Sequence, residues 1–281
     1  MMLREVDCKE WQIVFARTLQ EYLYKNGFKN LIEIRYNKEG KLYTIKNKKL
    51  YIDTEKVEGR LFEIDGEKNI KEFCRILSEF HGAAEGFVPP PGVKINVRWG
   101  KLTERYKRYL KDFERIKDSE NKTSFEAALE PYWEEIYKRA KEVMKTFRSI
   151  QYLSALEESM KKREVCLNTI SKNTAIKTKR GIYLFEIFDS GYNMIEEDIA
   201  KLIKRGIQKT GKKEIFDIVV SEYEKYRALN SNSIEYIKAY VSFPYNTLKL
   251  VSKYLKGKEA DYEKKLEKAL LRDNQCNLLG V

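Results

Sequence analysis

The stretch from Arg163 to Leu202 limits the possible folds of this chain more than any other. REVCLNTISKNT is polar and reads as a loop of the kind that holds catalytic groups. AIKTKRGIYLFEIFDSGYN follows, with two β-prone runs, Ala175–Lys177 and Ile182–Phe188, on either side of a charged turn ending at Gly181. Alternating side chains about a glycine, where the chain must reverse, predict a hairpin. MIEEDIAKL then opens a helix with Glu196, Glu197 and Asp198.

Elsewhere periodicity predicts helices joined by short breaks. Glu10 to Asn26 repeats Ile13, Val14, Leu19, Tyr22 and Leu23 near helical spacing and stops at Gly27. Three strand-like runs, Leu31–Tyr36, Lys41–Lys46 and Lys49–Glu55, turn at Asn37-Lys38-Glu39-Gly40 and Asn47-Lys48. Lys68 to Ala84 turns Ile70, Phe73, Ile76, Leu77 and Phe80 inward, and FVPPPG breaks it. A charged helix runs from Trp99-Gly100-Lys101 to Lys117. One long helix is expected from about Ser124 to Lys162, with Tyr132, Ile136, Tyr137, Ala140, Val143, Met144 and Phe147 buried. Beyond the hairpin, helices are expected near Ile195–Gln208, Lys212–Leu229, Ser233–Ser242, Tyr245–Leu255 and Ala260–Arg272.

Composition removes several function classes. No apolar run approaches a membrane span, and MMLREVDCKEW has no signal-peptide core, so a protein kept inside the cell that makes it is expected. Four scattered cysteines without a CxxC pair, and a single histidine, His81, argue against a Cys/His zinc site and for reduced thiols. The net charge is +12, but the lysines are interspersed with acids and no basic tail or finger spacing accompanies them. That pattern favours solvated helix faces or acidic partners over nucleic acid.

Loop, hairpin, acidic residue and helix is also the layout of the phosphotransfer centre in kinase-like enzymes, where an Asp positions the acceptor hydroxyl and later residues hold Mg²⁺. The chain resembles the CotS family of spore coat proteins, which are similar to aminoglycoside and choline phosphotransferases. Family members carry CHHD-x-x-x-HN, a hairpin, IDFD and a D-L-A helix; here Cys166, the hairpin and Asp198-Ile199-Ala200 match. KNGFKN, VEGR at Val57–Arg60, LSEFHGA, FVPPPG, Trp99-Gly100-Lys101 and FPYNTLKLVSKYL match further family phrases, from Leu3 to about Leu271. The resemblance implies an α+β, protein-kinase-like (aminoglycoside phosphotransferase-like) two-lobe fold. Residues 1–60 would form a reduced N-terminal lobe, one helix and a small antiparallel sheet, and residues 61–281 a mainly helical C-terminal lobe. Residues 124–162 would be the spine of that lobe, VEGR the link where relatives hold adenine, and His81 a structural residue.

The chemical positions depart from the family. The base position reads Thr169, the loop metal position Thr174 and the carboxylate after the hairpin Glu186, with Asp189 a possible substitute ligand. A threonine hydroxyl has no useful basicity, and general-base catalysis contributes roughly 10²–10⁴-fold. Glu186 adds a methylene, and a displacement of about 1 Å can cost roughly 100-fold. Arg4 falls where relatives place a phosphate-binding Lys, a change of shape and reach. No GxGxxG or P-loop pattern occurs, and about eight residues precede the first helix, so an N-terminally shortened chain lacking the phosphate clamp is expected. The sequence reading is therefore of a pseudokinase, not an enzyme, with no catalytic residue, cofactor or metal. It would be a structural protein made in the mother cell and built into the spore coat by contact with other coat proteins, without membrane or nucleic acid, its surface tyrosines open to oxidative cross-linking. Two alternatives stay open: residual ATP-dependent phosphotransfer to a small hydroxylated or amine substrate, and a nucleotide- or ligand-binding module without turnover.

Overall fold

The protein is seen here as a computed structural model, which describes residues 2–117, 122–171, 173–185, 187–257 and 261–280. The first sixty residues make one helix and a small sheet. Helix α1 (Glu10–Lys25) buries Ile13, Leu19 and Leu23 as expected, adds Phe15 and Ala16, and leaves Val14 and Tyr22 half-buried. Strands β1 (Met2–Val6), β2 (Ile34–Arg35), β3 (Thr44–Lys46) and β4 (Lys49–Thr54) pair antiparallel, with β4 taking all three partners. Asn47 and Lys48 both adopt positive φ, the geometry of the tight turn that joins β3 to β4. Buried Gln20 fastens helix to sheet: its amide donates to Ile32 O at 3.0 Å, and its carbonyl accepts from Ile34 N at 3.0 Å.

The strand expected over Leu31–Tyr36 is short because its first half pairs elsewhere. Leu184 N donates to Asn30 O at 2.8 Å, and Ile32 N donates to Leu184 O at 2.9 Å. Strand β5 (Arg60–Leu61) likewise joins the edge of a hairpin formed by β7 (Ala175–Thr178) and β8 (Gly181–Leu184). Two passages of the N-terminal chain therefore hydrogen-bond to the hairpin. The remaining pair is β6 (Val165–Cys166) with β9 (Gly191–Tyr192).

Helix α2 (Glu67–Ala84) buries the inward stripe expected of it, and α3 (Lys101–Lys117) keeps the expected bounds. The single long helix does not form. It divides into α4 (Ser124–Leu129), a 3-10 turn (Glu130–Tyr132), α5 (Trp133–Thr146) and α6 (Ile150–Lys162). Pro131 has no N–H to continue the α-helical ladder, and Ser149 caps a new start by accepting from Tyr152 N at 3.3 Å. The break turns Tyr132 to solvent and puts Trp133 inside instead, stacked 3.8 Å from Phe113. Helix α7 (Ile195–Thr210) packs against α2, α8 (Ile215–Glu224) and α9 (Ser231–Ser242); α10 (Tyr245–Tyr254) packs on α3 and α11 (Tyr262–Gln275). Among the described residues no helix is long and apolar enough to cross a membrane.

Candidate functional site

The loop between β6 and β7 is held from below by Asp198, in the first turn of α7. Leu167 N and Asn168 N donate to its two carboxylate oxygens at 2.6 and 3.0 Å. His81 Nε2 lies 3.4 Å from the same carboxylate while Nδ1 lies 2.8 Å from the Tyr223 hydroxyl, so the histidine braces the loop from within the core. Burial would raise the Asp198 pKa, but Lys201, His81 and the Leu167 N–H together bring it below the ordinary range. Asn168 takes a left-handed φ of 62° and ties the loop sideways, donating to Asp189 O at 3.1 Å and accepting from Asn193 Nδ2 at 2.9 Å.

Thr169 stands where the acceptor-side carboxylate was expected, and a carboxylate is nevertheless there. Its hydroxyl donates to Asp189 Oδ2 at 2.6 Å. The other oxygen, Oδ1, accepts from Gln12 Nε2 at 3.3 Å and lies 3.5 Å from Arg98 Nη2. Gln12 belongs to the first turn of α1, so Asp189 is touched by the N-terminal helix as well as the loop. Arg98 is seated by the neighbouring Trp99, whose ring stacks on Tyr192 at 4.8 Å and whose N–H donates to Ser159 Oγ at 3.1 Å. The approach is close: a Cβ on Gly191 would lie 2.1 Å from Asn96 O, so only glycine fits there. The Asp189 side chain keeps 42% of its surface exposed, enough to meet a ligand.

Thr174 is 1% exposed and turned inward, accepting from Ser171 N at 2.7 Å, which makes it a loop brace. Glu186 lies outside the described residues. Arg4 projects from β1 across the ring of Phe185 at 4.5 Å, and its buried Nε has no hydrogen-bond partner. His81, Cys166 and Asp198 bring three potential metal ligands within 4.8 Å of one another. All three are already engaged, the Cys166 thiol with Asn193 O and Met194 O, and burial followed by the Asp198 charge pushes that thiol well above its usual pKa. A protonated thiol makes a poor ligand, so this trio suits the core better than an ion.

Beside Thr169 and Ile170 opens a cavity of about 430 Å³ between α3, α7 and the start of α10. Arg98, Lys101, Arg105, Lys201, Lys204 and Arg205 line it, against the single carboxylate of Glu197. Sequence reading assigned these cations to solvated faces. Their spacing carried a signal: Lys101 and Arg105 lie four apart on α3, and Lys204 and Arg205 lie three and four from Lys201 on α7, so each group shares one helical face, while Arg98 comes from the turn ahead of α3. Burial would lower the Lys201 pKa, yet Tyr240, Asp198 and Glu197 hold it above the ordinary lysine value.

Residues 1–276 match the family described as "Spore coat putative kinase YutH". Among solved structures the chain is similar to an aminoglycoside phosphotransferase from Alicyclobacillus acidocaldarius subsp. acidocaldarius DSM 446, with a TM-score of 0.82 at 14% identity, over 98% of this chain and 82% of that one. It is also similar to the AMP-bound spectinomycin phosphotransferase APH(9)-Ia (TM-score 0.66, 12% identity, 96% and 86% covered) and to a microcompartment-associated aminopropanol kinase (0.59, 13%, 98% and 82%). The α+β, aminoglycoside phosphotransferase-like fold is thus established. The expectation of a pseudokinase outside the enzyme class is corrected: the neighbours sharing this fold are phosphotransferases and kinases. At position 169, read as a missing base, the threonine hydroxyl donates to Asp189 Oδ2. The chain belongs to the spore coat kinase family of YutH.

Proposed function

We propose, from membership of that family, that the chain is an ATP-dependent phosphotransferase acting in the spore coat, with Asp189 as the carboxylate that serves the acceptor. The observation that carries this reading is the contact of Thr169 Oγ1 with Asp189 Oδ2 at 2.6 Å, Thr169 being also a lining residue of the basic cavity. A carboxylate accepts the proton that an acceptor hydroxyl gives up as its oxygen bonds to phosphorus, which a threonine alone cannot do. Thr169 fixes one oxygen of that carboxylate, and Gln12 and Arg98 hold the other.

A nucleoside triphosphate would find a counter-charge at Arg4, whose guanidinium Nε is buried without a hydrogen-bond partner. When bound, the nucleotide supplies the phosphoryl group; Arg4 binds its negative charge, and Gln12 keeps the N-terminal helix against Asp189. In this reading residues 1–60 act as the smaller lobe and 61–281 as the larger.

ADP release by the purified chain with ATP, Mg²⁺ and a panel of hydroxylated metabolites tests the proposal. Acceptor-dependent turnover that collapses in Asp189→Asn is expected. Nucleotide binding with no acceptor-dependent turnover across the panel, or full turnover in Asp189→Asn, would overturn it.

The same proposal places the protein first in the mother cell and then in the coat, joined to other coat proteins through its charged, tyrosine-bearing surface. Tyr36, Tyr132 and Tyr226 are 51, 41 and 48% exposed. A fluorescent fusion should move from the mother-cell cytoplasm onto the forespore. Diffuse signal persisting through spore release would remove this part.

A further inference from the structure

Phosphotransfer requires an acceptor, and the cavity beside Asp189 has a chemistry of its own. Of its six cations, Lys101, Arg105, Lys204 and Arg205 form no ion pair among the described residues. Among the described residues Lys204 donates to the Phe243 carbonyl at 3.4 Å and lies over the Tyr245 ring, and Arg205 donates to the Ile170 carbonyl at 3.4 Å, with the charge of Glu63 acting on it from beyond ion-pair distance. Arg205 Nε is buried and unpartnered. Concentrating like charges in a partly enclosed, low-dielectric site is costly unless a ligand neutralises them. An amine would be repelled.

We infer that the acceptor is a small anionic polyol, of the sugar-phosphate or polyol-phosphate class, bound with its anionic group between α3 and α7 and a free hydroxyl at Asp189. Three observations converge on this class. The unpaired guanidinium and ammonium groups of Arg105, Lys204 and Arg205 match the fork and point-charge contacts that phosphate oxygens accept. Tyr245 lines the same side and carries two ammonium groups over its ring, Lys204 at 5.5 Å and Lys249 at 5.3 Å from the centroid, so it holds positive charge at the cavity wall. The cavity's size suits a small molecule, and Thr169, which touches Asp189, lines it, so a ligand held there by its anion brings a hydroxyl toward the carboxylate. Arg98 connects the two parts, lining the cavity while facing Asp189 Oδ1.

The inference rests on the phosphotransferase reading for its functional meaning, but its test does not need turnover. Calorimetric titration without nucleotide would compare glycerol 3-phosphate and glucose 6-phosphate with glucose and with ethanolamine. The phosphorylated probes should bind and raise Tm, the neutral and amine probes should not, and affinity should fall with added salt. Arg105→Ala and Lys204→Ala, at half-exposed positions, should each weaken the phosphorylated probes roughly ten-fold or more. Lys268→Ala, on α11 and outside the cavity lining, should leave them unchanged and so controls for general charge attraction. Equal binding of glucose or ethanolamine, no binding of either phosphorylated probe, or full affinity in both cavity variants would overturn the inference. Anion binding without turnover would count against the phosphotransferase reading alone, and turnover confined to amines against this inference alone.

Discussion

The hydroxyl of Thr169 donates a 2.6 Å hydrogen bond to Oδ2 of Asp189, joining the loop before the hairpin to the segment after it. Twenty positions of sequence separate the two residues, as that bond's spacing records, and neither is informative alone. Together they place a partly exposed carboxylate at the loop, with an arginine and a glutamine on its other oxygen.

The first prediction concerns that pair. Asp189→Asn removes the proton acceptor but keeps size and hydrogen bonding, so turnover should fall roughly 10²–10⁴-fold with Tm nearly unchanged. Thr169→Val leaves the carboxylate and removes only one hydrogen bond to it, so the loss should be smaller, about ten-fold. Steady-state ADP release on both variants checks the order; a larger loss in Thr169→Val would reverse the assignment.

Asp198 should set the acid stability of the loop. Its pKa is lowered from 3.8 in the folded state, so its contribution is complete above that ordinary value and is lost as pH falls through the lower folded value. Asp198→Asn leaves the partners of a buried carboxylate uncompensated and should cost about 3–5 kcal/mol at pH 7. Denaturation midpoints from pH 6 downward should show a steeper acid loss in the wild type than in the variant, and parallel curves would contradict this.

Gly191→Ala should destabilise by about 1–3 kcal/mol, the range for overpacking, because its Cβ would meet a backbone oxygen that no rotamer change can move. The same displacement shifts the segment carrying Asn96 and Arg98, so activity should drop together with the urea midpoint. A neutral effect on both would show that the segment 96–98 adapts.

Thiol labelling should separate the cysteines. Cys74, Cys166 and Cys276 are buried, and burial pushes the Cys74 thiol to about 12, so none of the three forms thiolate at pH 8. Cys8 is half-buried and should react first with a maleimide in the native state. Labelling followed by mass spectrometry, with and without urea, reads this directly.

Much of the architecture was written locally. Periodicity fixed the inward stripe of α2, three of the five inward residues of α1 and the bounds of α3, and Gly181 fixed the β7–β8 reversal, because a helix or hairpin face is decided by residues within a few positions. Even the miss at 124–162 had local causes, Pro131 at the first break and the Ser149 cap at the second. The family phrases reached further, from Leu3 to the last helices, and residues 1–276 match a spore coat kinase family.

The site was different. Which carboxylate serves Thr169, which residues seat Arg98, and that Arg105 and Arg205 face one cavity depend on distances between segments as much as a hundred positions apart. Position 169 reads as a missing base because a motif records one residue per position, whereas the hydrogen bond from that threonine to an oxygen twenty positions later exists only in the folded chain. The sequence by itself determined the elements and their family; only the packing of α1, α3 and α7 around the loop decided where charge accumulates, since Coulomb energy depends on separation in space and not along the chain.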